Sequence, residues 1–299
     1  MGFVLFLQIK VFSWNVCGLG MTMKHKAISK VLYTHDVEVC FLLETKMPTC
    51  TNSMIYKIWN GKEVKWWTLD SEGRSGGMLA LWDKSKFNAH IVEYVSGWIA
   101  LYGKHMATKS NCDVVGVYAH CSIQVWRCLR RDLTILKAAF DVPWFMIGDF
   151  NETLEREEHR SKLLNIVGPN SLKMFLETCD LHEFPLVGQR FIWFRGGSMS
   201  RIVRAFASPI FHMMFAGLLL QYQPRRLSDH CQLLLARVSR ARYRLETISV
   251  FGLLVISSAV SGYSDIVVGS CCLQFLGHYM LLKSCGKLLS SVSRTLHVA

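Results

Sequence analysis

Asp149 and Asn151, an acid and an amide two positions apart, follow Gly148 at the end of the apolar run Trp144–Ile147. Alternation along an extended chain sends both side chains to one side. Such a pair suits a carboxylate that takes a proton from water and an amide that holds the water or a phosphate oxygen. A lone G-D-x-N run is usually only a polar turn after a buried strand. Here other apolar runs end in the same manner. Ser13-Trp14-Asn15 delivers an amide ahead of the turn Val16-Cys17-Gly18-Leu19-Gly20, and VEVCFLLETK delivers Glu44 with Thr45 and Lys46. DVVGVYAH delivers Tyr118, and Leu227-Ser228-Asp229-His230-Cys231 sets an acid and an imidazole before the apolar run Leu233–Ala236. Each has a plain reading as a capping Asn, a surface Glu, a core Tyr or an element boundary. Together, at strand ends where polar groups converge on ligands, they point to one reaction centre.

The elements that must position these residues are short β-type runs alternating with amphipathic helices. Strands are predicted at Ile9–Asn15, Val37–Leu43, Met78–Trp82, Asn88–Val95, Asp113–Ala119, Trp144–Gly148 and Arg190–Phe194. Helices are predicted at Lys24–His35, with Ala27, Ile28, Val31 and Leu32 on one face, at Ile123–Phe140 and at Asn170–Cys179. In the second, Val125, Leu129, Leu133, Leu136 and Phe140 recur at helical spacing. Polar turns such as 71–77 punctuate the pattern, and strands interleaved with helices indicate a layered α/β or α+β domain.

The chain has 299 residues, 51% hydrophobic and 19% charged, enough to bury a sizeable core. Its net charge of +12 favours polyanionic partners, nucleic acid first and anionic membrane second. Residues 201–244 concentrate this charge, with Arg201, Arg204, Arg225, Arg226, Arg237, Arg240, Arg242 and Arg244 against one acid, Asp229. The 11 cysteines include no C-x-x-C pair and no zinc spacing, which reads as reduced thiols in an intracellular protein, nuclear or cytoplasmic. The apolar N-terminus lacks a basic n-region and a small-residue cleavage site, so no secretory signal is expected. Residues 1–240 are expected to form one domain, and 241–299 an apolar, serine-rich appendage outside it. Thr247–Ser264 carries no charge but is at the lower limit for a membrane span and holds five serines, so a membrane partner is not expected. No protein partner is evident.

SWNVCGLG, LLETK, GRSGGMLALW, VYA, GDFNE and SDH resemble the endonuclease/exonuclease/phosphatase superfamily. They are most similar to the apurinic-type endonuclease domain of plant non-LTR (LINE-type) retrotransposons, over about residues 9–238. The resemblance implies a four-layer sandwich, two packed β-sheets flanked by helices, and Mg²⁺-dependent (or Mn²⁺-dependent) hydrolysis of a DNA phosphodiester. It makes Glu44 the principal metal ligand, with Asp229 near the metal, and has Asn15 orient Glu44 or the bound phosphate. Asp149 would align and deprotonate water beside Asn151, Tyr118 would hydrogen-bond the phosphate, and His230 would stabilise the developing phosphoryl charge. The Arg-rich 201–244 segment would contact the DNA backbone. Trp193, in RFIWFRGG, would wall the site or belong to the core.

One departure bears on activity. The family carries an Arg-(Ile/Leu)-Asp element whose aspartate accepts a hydrogen bond from the catalytic histidine, and here Val203 stands at that aspartate's position. Valine can neither fix the imidazole tautomer nor favour imidazolium. A weakened or inactive enzyme is therefore expected. Cys17 replaces an arginine common in the family's W-N-x-R-G-L motif, which removes a surface or backbone-supporting contact and not a catalytic one. The alternatives are a non-catalytic retroelement remnant that at most binds nucleic acid non-specifically, and a phosphatase acting on a smaller phosphoester.

Overall fold

The period-2 runs of the sequence form two β-sheets packed face to face, with helices on their outer faces. The computed structural model describes residues 8–237 apart from 74, 96, 121, 140, 161–169 and 224–226. In chain order the strands begin with β1 (Val11–Asn15), β2 (Val39–Leu43), β3 (Val64–Leu69), β4 (Met78–Asp83), β5 (Phe87–Val95) and β6 (Trp98–His105). Next come β7 (Ser110–Tyr118), β8 (Trp144–Asp149), β9 (His159–Arg160), β10 (His182–Glu183) and β11 (Leu186–Val187). The last are β12 (Trp193–Arg195), β13 (Ser198–Ser200), β14 (Val203–Ala207), β15 (Leu218–Gln223) and β16 (Gln232–Arg237). Helices α1 (Thr22–His35), α2 (Asn52–Ile58), α3 (Ile123–Ala139), α4 (Asn170–Thr178) and α5 (Pro209–Met214) connect them.

One sheet has the order β11-β15-β16-β1-β2-β4-β3 and the other β10-β14-β8-β7-β6-β5, with a small third sheet β12-β13-β9. Near the middle of each large sheet lies a parallel pair, β1 with β2 and β7 with β8. A parallel pair needs a crossover, which α1 and α3 supply. Alternation then sorts the side chains. Val11, Val39 and Phe41 from one sheet meet Val114, Phe145, Ile147 and Val203 from the other in the inter-sheet core. Phe12, Trp14, Cys40 and Leu42 face outward onto Ile28 and Leu32 of α1 and Ile55 of α2. Val115, Val117, Trp144 and Met146 face outward onto Leu129 and Leu133 of α3 and Leu172 of α4. The result is the expected helix–sheet–sheet–helix sandwich.

Several boundaries differ from the sequence reading. In α3 it is Trp126, not the exposed Val125, that joins Leu129, Leu133 and Leu136 in the core. The strand predicted at Arg190–Phe194 begins at Trp193, and Ile192 ahead of it donates its N–H to Ser200 O at 2.9 Å. Strands β3, β6 and β15 and the seven-residue α2 were not predicted. The appendage at 241–299, including Thr247–Ser264, lies outside the described residues, as do residues 1–7. Among the described residues no helix is long and apolar enough to cross a membrane.

Candidate active site

Because inward and outward positions alternate, Asn15, Tyr118 and Asp149 fall on the inter-sheet faces of β1, β7 and β8, each as the last residue of its strand. Gly148 lets β8 reach this point beside β7: it has φ +157°, and a Cβ there would run into the carbonyl of Val117. Asp149 is 1% exposed. Its Oδ2 accepts from Asn15 Nδ2 at 2.9 Å and its Oδ1 from the Asn151 main-chain N–H at 3.1 Å. Both oxygens are thus oriented. Asn15 in turn accepts at Oδ1 from the Cys17 N–H at 3.1 Å. The amide of Asn15 therefore serves Asp149, where the sequence reading gave it to Glu44 or the phosphate. Burial pushes the Asp149 carboxyl up from its ordinary value, against the opposing pull of His230 and of the Asn15 and Asn151 hydrogen bonds.

His230 arrives beside this carboxylate on the turn before β16. Its Nδ1 lies 3.4 Å from Asp149 Oδ2 and its Nε2 4.0 Å from Asp229 Oδ1. The first is an ion-pair distance without hydrogen-bond geometry, so the buried Nδ1 has no hydrogen-bond partner. Val203, fully buried, pairs directly across from Asp149 in the β14–β8 ladder. A turn of Ser228 holds the motif: its Oγ donates to Asn15 O at 2.8 Å and accepts from the His230 N–H at 3.2 Å. Trp14 Nε1 donates to His230 O at 3.2 Å. Trp193, half-buried, bridges His230 through the main chain, and Phe194 N–H donates to Asp229 O at 3.0 Å.

Glu44 follows β2, one strand from Asn15. Its Oε1 lies 2.9 Å from Lys46 Nζ, a contact that raises the lysine pKa. Backbone strain gathers here. Cys17 (φ 46°), Glu44 (54°), Lys46 (53°) and Asn151 (50°) all occupy the left-handed region, where non-glycine residues are uncommon. Such conformations persist only where surrounding contacts impose them, and they cluster at functional sites. Asn151 is pinned in part by its Nδ2, which donates to Ala119 O at 2.5 Å. Tyr118 sits one ladder step from Asp149, in register with it on β7.

Sequence reasoning missed three supports. Lys24, on the buried side of α1, donates to the carbonyls of Val16 (2.5 Å), Cys17 (3.2 Å) and Gly18 (2.9 Å), and burial lowers its pKa. Glu152, next to Asn151, accepts from Trp126 Nε1 at 2.5 Å, Ser171 Oγ at 2.6 Å and the Leu172 N–H at 3.1 Å. It ties the Asp149–Asn151 turn to α3 and α4. Ser228 is the third. A lysine within the apolar face of a predicted helix was the available signal for Lys24. The other two stood inside the quoted motifs GDFNE and SDH without a role.

The basic segment needs correction. Arg204 is fully buried, and its guanidinium binds Glu158 and, at 2.5 Å, Glu183. Arg201 Nη2 donates to Glu183 Oε1 at 2.9 Å. Arg204 is therefore not available to DNA phosphates, and Arg201, partly exposed, is already ion-paired. Arg237 is exposed, and Arg225, Arg226, Arg240, Arg242 and Arg244 lie outside the described residues. The sheet next to His230 carries basic side chains instead: Arg160 and Arg190 lie over the Phe191 ring at 5.3 and 5.8 Å, and Arg195 is exposed in the hairpin 194–199.

The donors present are hard carboxylate oxygens, and among the described residues no three His, Cys, Asp or Glu side chains form a ready-made cage. That fits a hard cation that keeps several waters and takes one or two carboxylates. It does not fit a closed zinc-type site.

Residues 12–230 match the model of the endonuclease/exonuclease/phosphatase family. The chain belongs to this family. Its members generally use divalent metal ions. No curated protein sequence matches the chain. Among solved structures, the AP endonuclease LMAP from Leishmania major is similar at a TM-score of 0.59 and 13% identity, over 77% of this chain and 88% of that one. A 3′ phosphatase (NExo) from Neisseria, bound to a product DNA hairpin, gives 0.57 at 16%, over 77% and 100%. The endonuclease domain of TRAS1, a telomere-specific non-LTR retrotransposon, gives 0.56 at 11%, over 77% and 97%. At these identities the likeness is one of fold. For this family member, the fold brings the acid–amide pair, its supporting Asn and the histidine to one point.

Proposed function

We propose that this chain is a Mg²⁺-dependent phosphodiesterase of the retrotransposon DNA-endonuclease type whose rate is limited by the missing partner of His230. The observation that carries the reading is Asp149: a buried carboxylate with both oxygens oriented, 3.4 Å from an imidazole. Held in this way, Asp149 accepts the proton of an attacking water. Asn15 and Asn151 keep its lone pairs aimed, and burial makes it a stronger base than a surface aspartate. His230 stabilises charge on the phosphoryl oxygens, and Tyr118 hydrogen-bonds the phosphate from the neighbouring strand end. Glu44 and Asp229 would hold the Mg²⁺, which when bound polarises a phosphoryl oxygen and stabilises the leaving oxyanion.

The Nδ1 of His230, near Asp149 but without a hydrogen bond, supports the reading of reduced activity. A carboxylate accepting from that nitrogen would favour imidazolium and fix the ring, and Val203 offers neither. A DNA substrate is supported by the +12 charge, by Arg160 and Arg195 on the sheet joined to Asp229 and His230, and by Arg190 just ahead of it. NExo, solved with a DNA hairpin, and the TRAS1 endonuclease domain point the same way.

The test is nicking of supercoiled plasmid with and without Mg²⁺, beside Glu44→Ala and Asp149→Ala. Slow Mg²⁺-dependent nicking that both substitutions lower by about 10²-fold or more is expected. Salt-sensitive DNA binding without nicking would make the chain a non-catalytic remnant. Phosphate release from small phosphoesters without nicking would make it a phosphatase.

A further inference from the structure

We propose that Lys46 is a tethered competitor of the divalent cation at the carboxylate of Glu44, its ammonium holding Oε1 and setting a positive charge beside the place the cation would take. This rests on the reading of Glu44 as the metal ligand. The pair is built by the backbone and is not a chance meeting of two long side chains. Glu44 and Lys46 both have left-handed φ, 54° and 53°. The tripeptide between two loops is held by four main-chain hydrogen bonds. Gly18 N–H donates to Glu44 O (2.8 Å), Leu19 N–H to Thr45 O (2.7 Å), Thr45 N–H to Gly77 O (3.0 Å) and Lys46 N–H to Gly76 O (3.0 Å). Gly77 (φ +82°) has no room for a Cβ, which would strike Thr45 Oγ1. From this fixed frame Lys46 Nζ reaches Glu44 Oε1 at 2.9 Å and Cys17 Sγ at 3.4 Å.

The ammonium gives Glu44 a counter-ion in the absence of metal, which helps the protein hold a half-buried carboxylate within electrostatic reach of Asp149. The same contact opposes metal binding twice. It occupies one of the two carboxylate oxygens, and it leaves a positive charge beside the incoming cation. Metal affinity at this centre is thereby set by a residue that is not a ligand.

The experiment is Mn²⁺ binding to the full chain, followed by the electron-spin resonance of free Mn²⁺, for wild type, Lys46→Met, Lys46→Gln and Glu44→Gln. Both lysine substitutions should tighten Mn²⁺ binding by roughly two- to tenfold, the scale of a partly exposed ion pair. Glu44→Gln should weaken it. Unchanged or weaker binding in the lysine variants, with Glu44→Gln still weakening it, would overturn the competition. Equal binding by wild type and Glu44→Gln would overturn the assignment of Glu44 itself, and the competition with it.

Discussion

Val203 and Arg204 are consecutive in β14, and alternation turns them toward two different buried polar clusters. Behind the strand, two guanidinium groups, Arg201 and Arg204, meet two carboxylates, Glu158 and Glu183. Glu158 also accepts from the N–H groups of Leu154 (2.8 Å) and Glu155 (3.0 Å). Its charges match, although each arginine leaves its Nε without a partner. In front of the strand, Val203 faces Asp149 and contributes no charge, and the imidazole near Asp149 lacks a hydrogen-bond partner at Nδ1. A cluster matched in charge has no net charge to offer a ligand. An unmatched one is costly to the fold and available for chemistry, which is the usual trade between stability and function.

That contrast can be broken by stability measurements. Arg204→Met removes the buried guanidinium of the network and leaves two carboxylates with Arg201 alone. Denaturant unfolding should show a loss of about 3–5 kcal/mol. Asp149→Asn should leave stability unchanged or higher while lowering nicking, because it removes a buried charge that desolvation already disfavours. If Asp149→Asn proved as destabilising as Arg204→Met, the division between scaffold and site would fail.

Asp113 sharpens the comparison as a buried acid with one donor, Trp144 Nε1 at 2.5 Å, and no ion pair among the described residues. Burial pushes its pKa up from 3.8 to about 6, against the Trp144 hydrogen bond and the charge of Lys137. A raised carboxyl pKa means the folded state holds its proton longer. This contribution to stability is complete below pH 4, falls as pH rises through about 6, and stays lost above it. Asp113→Asn should therefore unfold at higher denaturant than wild type above pH 6, by about 1–3 kcal/mol. The difference should close near pH 4. The smallest effect belongs to Lys173 and Glu155, 2.7 Å apart and well exposed. Lys173→Ala should change stability by no more than about 0.5 kcal/mol.

Much of this was legible in the sequence, for physical reasons that vary by residue. Asn15, Tyr118 and Asp149 could be placed because each ends an apolar run, and period-2 alternation sends them to the inter-sheet face. The strands β3 and β6 escaped because VKWWTL sets two tryptophans side by side and WIALYGKH opens on an unbroken apolar run, so neither shows clean period-2 alternation. Helix α2, seven residues long, is too short to show a helical period. Arg204 was misread because counting charge over 201–244 cannot reveal partners. Its carboxylates lie 46 and 21 positions away in the chain, Glu158 and Glu183. Lys46 was quoted only as part of a motif, since spacing does not say that two left-handed residues turn an ammonium onto Glu44.

The most direct measurement is Mg²⁺-dependent plasmid nicking by Val203→Asp beside wild type, with Val203→Asp/Asp149→Ala as the control. A carboxylate at position 203 should give His230 the partner it lacks and raise the rate by about ten- to a hundredfold, and the control should abolish the gain. Wild type nicking as fast as Val203→Asp would contradict the account.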